Sequence, residues 1–213
     1  MTSIGVVYLH GFASGPSSKK ARFFGERFAA RNIRFTVPDL ASGDFSHLTL
    51  SGQLRVIKAA AAAAAGPVCL MGSSMGGYLA ALHAAAHPGE VEKLVLLAPA
   101  FDFAARWRER LSPAEFAAWE RTGALSVFHY SEGRSAEVGF ALYTDALQYE
   151  PFPAVTGPTL VFHGRRDNVV PPELSERFAA GKPHARVRLF DSDHELVDVT
   201  EEMWEETWAF FQH

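Results

Sequence analysis

Residues 72–77 read GSSMGG, and this short stretch decides the fold. An apolar, β-rich run at residues 67–71 precedes it, and a helix-forming run that includes residues 78–87 follows it. The segment therefore predicts a sharp turn from a strand into a helix. Glycines two positions before and after Ser74 leave room for a serine in a strained backbone conformation. Ser73 has methionines at the corresponding positions, so the spacing selects Ser74.

Outside this turn, β-rich apolar runs alternate with longer helical segments, such as residues 18–31 and the alanine-rich residues 50–65. Most of the apolar runs are nearly continuous, which is typical of a parallel sheet covered by helices on both faces. The alternation predicts an α/β fold with a mainly parallel, twisted sheet of about six strands flanked by helices. The predicted strands are residues 5–9, 33–37, 67–71, 93–97, 159–162 and 186–190.

Residues 101–155 interrupt this alternation, because they contain no predicted buried strand. The sequence SPAE at residues 112–115 is a capping box with proline at the first helical position. Residues 125–130 and 138–143 are predicted to pair across a polar turn. We interpret residues 101–155 as a small cap-like insertion over the sheet edge, within one domain that spans residues 1–213.

Length, charge and cysteine content exclude several classes of protein. A chain of 213 residues fits a single domain, and the single cysteine, Cys69, excludes a disulfide scaffold. The 20 Lys and Arg residues against 24 Asp and Glu form no basic block of the kind that nucleic-acid binders use. The longest apolar stretch, residues 59–65, is far too short to cross a bilayer. We expect a cytoplasmic protein without nucleic-acid or membrane partners; the sequence gives no oligomeric state.

A serine hydroxyl needs a base to become a nucleophile, and the base needs an orienting acid. His194 follows the last predicted strand and is the candidate base. Asp167 follows the fifth strand and is the preferred acid, and Asp102, just beyond the fourth strand, is the alternative. Between Asp167 and His194 there is room for one helix and one strand, as adjacent parallel strands require.

The same chemistry needs two N–H donors for the developing oxyanion. One is expected from Met75, directly after Ser74, and the other from the loop after the first strand, where Phe12 is preferred over Ala13. His163 precedes a glycine at a strand end and is interpreted as a structural, hydrogen-bonded histidine.

Neither a metal nor a cofactor is predicted. His83 and His87 lie four residues apart on a predicted helix, but they lack the glutamate of a zinc-protease motif. We interpret both as packing or solvent-facing histidines.

These motifs resemble the α/β-hydrolase superfamily over nearly the whole chain, and in particular small YqiA-like bacterial esterases and the mycophenolic acid acyl-glucuronide esterases. The resemblance implies that Ser74 is the nucleophile, His194 the base and Asp167 the acid, with Phe12 and Met75 as oxyanion donors. It also implies cleavage of carboxylic esters or thioesters without a metal or cofactor. The shared segments are Leu9-His10-Gly11-Phe12, Lys19-Lys20-Ala21, GSSMGG, Tyr130-Ser131-Glu132-Gly133, His163-Gly164 followed by Asp167, and Ser192-Asp193-His194.

The substrate pocket is expected between the Ser74 turn and the insertion. The segment also contains three arginines, Arg106, Arg108 and Arg110. They either bind an acidic substrate or form a solvated helix face. The second interpretation is favoured, because charged residues are mostly exposed. Aromatic residues of the insertion are expected to supply pocket surface, although at least half of them should only pack. They are Trp107, Phe116, Trp119, Phe128, Tyr130, Phe140 and Tyr143.

Two further functions stay open beside an esterase that acts on a small-molecule ester. One is an acyl thioesterase or peptidase that uses the same residues. The other is a ligand-binding protein without catalysis, because a fold alone does not determine function.

Overall fold

The computed structural model describes residues 5–64 and 66–212. Three parts of the predicted elements lie outside these ranges. They are residues 1–4 and residue 213 at the ends of the predicted domain, and Ala65 at the end of the predicted alanine-rich helix. The strands are β1 (Gly5–Leu9), β2 (Phe35–Thr36), β3 (Val68–Ser73), β4 (Val91–Leu97), β5 (Ala124–His129), β6 (Arg134–Gly139), β7 (Thr159–Gly164) and β8 (Ala185–Phe190). The helices are α1 (Lys19–Ala29), α2 (Leu50–Ala62), α3 (Met75–Ala86), α4 (Phe103–Arg110), α5 (Pro113–Thr122), α6 (Ala141–Ala146), α7 (Glu173–Ala179) and α8 (Thr200–Gln212).

The main sheet has six strands in the order β2-β1-β3-β4-β7-β8, and every neighbouring pair is parallel. The predicted parallel sheet of six strands is therefore confirmed. Its two edges differ from the continuous apolar pattern. Strand β2 has only two residues, and in β8 the exposed Arg186 and Arg188 alternate with partly buried residues, because an edge strand keeps contact with water.

Successive residues of the central strands face opposite sides of the sheet and enter two separate cores. Val7 and Leu9 of β1 pack in the core that includes residues of α2 and α3, whereas Val6 and Tyr8 pack in the core that includes residues of α1 and α8. This period of two explains why the buried strands are apolar on both faces.

Between β4 and β7, which pair directly in the sheet, the chain forms α4, α5, the β5–β6 hairpin and α6. The predicted capping box is present, because Ser112 Oγ accepts from the N–H of Glu115 while the Glu115 carboxylate accepts from the N–H of Ser112. The hairpin also forms, but its predicted second strand, residues 138–143, is wrong. The chain reverses earlier, with Gly133 at a φ of +64°, so the strand begins at Arg134 and the following residues form α6.

All six strands run in the same direction, so the loops that follow them meet at one edge of the sheet. Phe12 follows β1, Ser74 follows β3, Asp102 follows β4, Asp167 follows β7 and His194 follows β8. This edge therefore collects every predicted site residue. Within the described ranges, no helix is long and apolar enough to cross a membrane.

Candidate active site

Ser74 lies in the turn between β3 and α3 with φ +53° and ψ −118°. A residue other than glycine in such a conformation costs about 1–3 kcal/mol, so its surroundings must hold it. The N–H of Ser74 donates to the carbonyl of Leu97 at 2.8 Å, and its own carbonyl accepts from the N–H groups of Tyr78 and Ala100. These bonds attach the strained turn to α3 and to the loop that follows β4.

Two glycines of the turn are required by close backbone contacts. A Cβ atom on Gly76 would lie 2.2 Å from the carbonyl oxygen of Leu9, and one on Gly72 would lie 2.3 Å from that of Gly76. Both distances are shorter than any van der Waals contact. The glycine spacing that selected Ser74 in the sequence therefore has a steric reason in the structure.

The structure brings Ser74, His194 and Asp167 together in one hydrogen-bonded series. His194 Nε2 lies 3.0 Å from Ser74 Oγ, and His194 Nδ1 lies 2.6 Å from Asp167 Oδ2. The pattern fits an imidazole that donates from Nδ1 to the carboxylate and accepts the serine proton at Nε2. Asp102, the alternative acid, begins α4 instead, and the carboxylate that bonds to His194 is that of Asp167.

The side chain of Asp167 is fully buried, and both of its oxygens are occupied. Oδ1 accepts from the backbone N–H groups of Val169 and Val170, each at 2.8 Å. Oδ2 accepts from His194 and from His163 Nε2, the latter at 3.0 Å. Burial alone raises the pKa of Asp167, but the hydrogen bonds from His163 and His194, the charge of His194 and the N–H of Val170 together hold this pKa well below its ordinary value. The carboxylate therefore stays ionised.

His163 is a member of the site that the sequence analysis interpreted only as a structural histidine. Its Nδ1 lies 2.7 Å from the hydroxyl of Ser175, and its Nε2 also lies 2.9 Å from the carbonyl of Val170. The sequence signal that could have identified it is its position, because His163 is the penultimate residue of β7 and lies four residues before Asp167.

A lysine from the start of α1 supports the loop that carries His194. Lys20 Nζ donates to the backbone carbonyl of Glu195 at 2.5 Å. Burial lowers the pKa of Lys20 to about 8, although the carboxylates of Glu195, Asp193 and Asp167 oppose this shift. The two residues are 175 positions apart, so this contact could not be predicted from local sequence.

The predicted oxyanion donors lie beside Ser74. Met75 is the first residue of α3, where N–H groups of the helix end point outwards, and Phe12 lies in the loop after β1. In the part of the chain that the structure describes, neither amide donates to a backbone acceptor. The ring of Phe12 is held against Phe45 and Trp107, with centroids 5.3 and 5.4 Å apart.

A cleft opens over Ser74. Of the seven aromatic residues expected at the pocket, Trp107 lines the cleft, while Phe128 and Tyr130 are exposed at 54% and 68%. Phe103 lines the cleft although it was not predicted. The other four pack on one another and hold the segment together: Phe116, Trp119, Phe140 and Tyr143. The lining residues are Phe12, Ser74, Met75, Ala100, Phe103, Arg106, Trp107, Arg110, Val169 and Val170.

The arginines of α4 divide between two environments. Arg106 and Arg110 line the cleft, whereas the guanidinium of Arg108 lies over the ring of Phe116, 4.3 Å from its centroid. Arg108 and Arg110 are both exposed, so the favoured interpretation as a solvated helix face describes these two but not the partly buried Arg106.

Within the described ranges, one group of side chains could hold a metal ion, and it lies at the opposite end of α3 from Ser74. His83, His87 and Glu90 each offer a ligand atom, and these atoms lie within 4.8 Å of one another at the C-terminal end of α3. His83 is 1% exposed, so it is a packing histidine and not a solvent-facing one. Burial, with His87 nearby, lowers the pKa of His83 to about 4.

Comparison with known proteins agrees with this architecture. A family model described as "Uncharacterised protein family (UPF0227)" matches residues 5–212. Mouse alpha/beta hydrolase domain-containing protein 10 is 22% identical with a TM-score of 0.84, covering 98% of this chain and 89% of the mouse chain. A putative hydrolase from Agrobacterium vitis has the same identity and TM-score, covering 98% of this chain and 88% of its own.

A third structure, Est1E from Butyrivibrio proteoclasticus with ferulic acid bound, is 20% identical with a TM-score of 0.79 and covers 99% of this chain and 90% of its own. No curated protein matches the sequence. At these identities the likeness shows the fold, which is the predicted α/β-hydrolase fold.

Proposed function

Because the chain belongs to the UPF0227 family and has the α/β-hydrolase fold, we propose that it is a serine hydrolase that cleaves carboxylic esters. The observation that carries the proposal is the hydrogen-bonded series from Ser74 through His194 to Asp167 at the cleft. The structural neighbour Est1E adds support, since its structure has a carboxylic acid, ferulic acid, bound.

In the first step Ser74 Oγ attacks the ester carbonyl while His194 Nε2 accepts the hydroxyl proton. Asp167 stabilises the imidazolium that forms, and its buried, ionised state suits that role. The N–H groups of Phe12 and Met75 donate to the oxyanion of the tetrahedral intermediate. When the intermediate collapses, His194 returns the proton to the departing alcohol and Ser74 is left acylated.

In the second step the same histidine accepts a proton from water, which attacks the acyl-enzyme. A second tetrahedral intermediate forms on the same two N–H donors. It collapses as the bond between the acyl carbon and Ser74 Oγ breaks and His194 returns its proton to Oγ, which releases the carboxylic acid and free Ser74. Every proton transfer in this sequence uses a protein group. We propose no cofactor and no metal for it, and a small-molecule ester as the partner.

We further propose that residues 1–213 form one domain, in which residues 101–155 act as a cap over the cleft. Helix α4 supports this assignment, because it contributes four lining residues from this segment. They are Phe103, Arg106, Trp107 and Arg110.

Hydrolysis of p-nitrophenyl esters over a series of acyl lengths tests the proposal. Ser74→Ala should lower kcat/KM by about 10⁴-fold. Ser73→Ala is the matched control, because this neighbouring serine ends β3 and should be dispensable for the chemistry. Asp167→Asn should cause a comparable loss, and Asp102→Asn should stay near the wild-type rate. Activity that survives in Ser74→Ala would overturn the assignment.

Two alternatives have their own readouts. An acyl thioesterase on the same residues would hydrolyse thioesters faster than the matched oxygen esters. A ligand-binding protein would hydrolyse neither, and its Ser74 would not react with a fluorophosphonate probe. An amide substrate panel tests peptidase activity in the same way.

A further inference from the structure

We infer that Arg106 and Arg110 form an anion-binding subsite in the cleft, so that the preferred ester carries a carboxylate or phosphate group. This inference rests on the function proposed for Ser74 and extends it to the class of substrate. It concerns the three arginines of α4, which differ in where their side chains lie.

Arg106 and Arg110 are four residues apart on α4 and so share one face of the helix. Both line the same cleft as Ser74. Within the described part of the chain, no aspartate or glutamate lines that cleft. The charged side chains that face a bound ester are therefore both cationic.

The hydrogen bonds of Arg106 leave part of its guanidinium unused. Its Nη1 pairs with Glu109 at 2.5 Å, and its Nη2 donates to the backbone carbonyl of Val169 at 3.4 Å, which is a long contact. Its Nε is shielded from solvent and has no hydrogen-bond partner among the described residues. An entering ligand cannot reach this shielded Nε. Each Nη carries two N–H groups and makes only one contact, and the side chain is 25% exposed, so the Nη groups keep donors for an anionic oxygen.

Glu109 does not neutralise the whole subsite. Its side chain is 62% exposed, and it does not line the cleft. Two guanidinium groups and one carboxylate leave one positive charge in excess. Arg110 is exposed to solvent, so its charge stays available to an entering ligand. A guanidinium has five N–H donors in a planar fork, which suits both carboxylate and phosphate oxygens.

Arg108 provides an internal comparison. It belongs to the same helix, but its guanidinium stacks on Phe116, and it does not line the cleft. A general attraction between a basic helix and an anionic substrate would involve all three arginines. A subsite at the cleft would involve only Arg106 and Arg110.

Matched esters test this inference. We would compare kcat/KM for the butyrate esters of 4-hydroxybenzoate and of 4-hydroxybenzamide, which differ in charge but hardly in shape. The butyrate ester of 4-hydroxyphenyl phosphate distinguishes phosphate from carboxylate. A second pair, the mono-p-nitrophenyl esters of adipate and of its monoamide, places the charge on the acyl side.

The wild type should prefer an anionic ester over its neutral partner by about tenfold, the effect expected of a hydrogen bond to a charged group. Arg106→Gln should abolish this preference, Arg110→Gln should reduce it, and Arg108→Gln should leave it unchanged. Only Arg108→Gln should hydrolyse the neutral esters at the wild-type rate, because it alone does not line the cleft. For the other two variants the readout is the ratio of kcat/KM for the anionic ester to kcat/KM for its neutral partner. Because Arg110 is exposed, its variant tests the subsite even if Arg106→Gln folds poorly.

The possible failures are distinguishable. If the neutral esters are hydrolysed in a Ser74-dependent way without any anionic preference, the subsite is wrong and the proposed function stands. The subsite is also wrong if Arg108→Gln reduces the preference as much as Arg106→Gln does. If no ester is hydrolysed and Ser74 does not react with a fluorophosphonate, both proposals fail together.

Discussion

Asp167 shares one carboxylate oxygen with a second histidine: its Oδ2 lies 3.0 Å from Nε2 of the fully buried His163. The same oxygen lies 2.6 Å from Nδ1 of His194. His163 is held in turn by the buried hydroxyl of Ser175. The orientation of the proposed acid therefore depends on a residue that does not face the substrate cleft.

Replacing His163 should impair activity through Asp167. His163→Gln weakens one of the four hydrogen bonds that hold the carboxylate, so we expect kcat for a p-nitrophenyl ester to fall about tenfold. KM should change little, because His163 does not line the cleft. Ser175→Ala removes only the hydroxyl that bonds to His163 Nδ1, so it should lower kcat less than His163→Gln does. An unchanged kcat together with a reduced free energy of unfolding would show that His163 is purely structural.

Gly76 should not tolerate a side chain. Gly76→Ala would place a Cβ atom 2.2 Å from the carbonyl oxygen of Leu9 and 2.5 Å from that of His10, so β1 and α3 must separate. We expect the free energy of unfolding to fall by about 3 kcal/mol or more. Gly66→Ala is the control, because its Cβ would meet nothing within 4 Å and it should stay within about 0.5 kcal/mol of wild type. Urea denaturation measures both, and equal stabilities would contradict the steric argument.

Lys20 should matter for activity although it belongs to α1. Lys20→Met removes the donor to the carbonyl of Glu195, so the loop that carries His194 should lose part of its support. We expect kcat to fall several-fold, as for the loss of about one hydrogen bond. The adjacent Lys19 is exposed, so Lys19→Met should keep the wild-type rate. If Lys20→Met and Lys19→Met have the same kcat, Lys20 does not support the loop that carries His194.

His83 should make stability depend on pH below neutrality. Its pKa is about 4 in the folded protein, against 6.5 for an ordinary histidine, so the unfolded chain binds a proton at a higher pH than the folded chain does. The contribution of His83 to the free energy of unfolding is therefore fully present above pH 6.5 and decreases as the pH falls from 6.5 to 4. Below pH 4 this group causes no further decrease. The loss should reach at most about 3 kcal/mol.

Urea denaturation between about pH 4 and pH 8 measures this dependence. In His83→Gln the free energy of unfolding should change less with pH than in the wild type. His47→Gln replaces an exposed histidine and should keep the wild-type dependence. The same slope in His83→Gln as in the wild type would mean that His83 is not the titrating group.

The sequence by itself determined the architecture and the position of the serine turn. The nearly continuous apolar runs of β1, β3, β4 and β7 and their alternation with helices are local properties, and they predicted the six-stranded parallel sheet. The glycines around Ser74 reflect a local steric requirement and distinguished it from Ser73. The rule that loops after parallel strands meet at one edge selected His194 and left two possible acids, Asp167, which was preferred, and Asp102. The structure places Asp167 and His194 within hydrogen-bond distance in series with Ser74.

The tertiary structure alone decided which other side chains reach that site. The contact of Lys20 with Glu195 joins residues 175 positions apart, and no local pattern encodes such a distance. Helical periodicity separates the face of Arg106 and Arg110 from that of Arg108, but it does not tell which face borders the cleft. Their different roles arise from what packs against α4, with Phe116 on one side and the Ser74 cleft on the other.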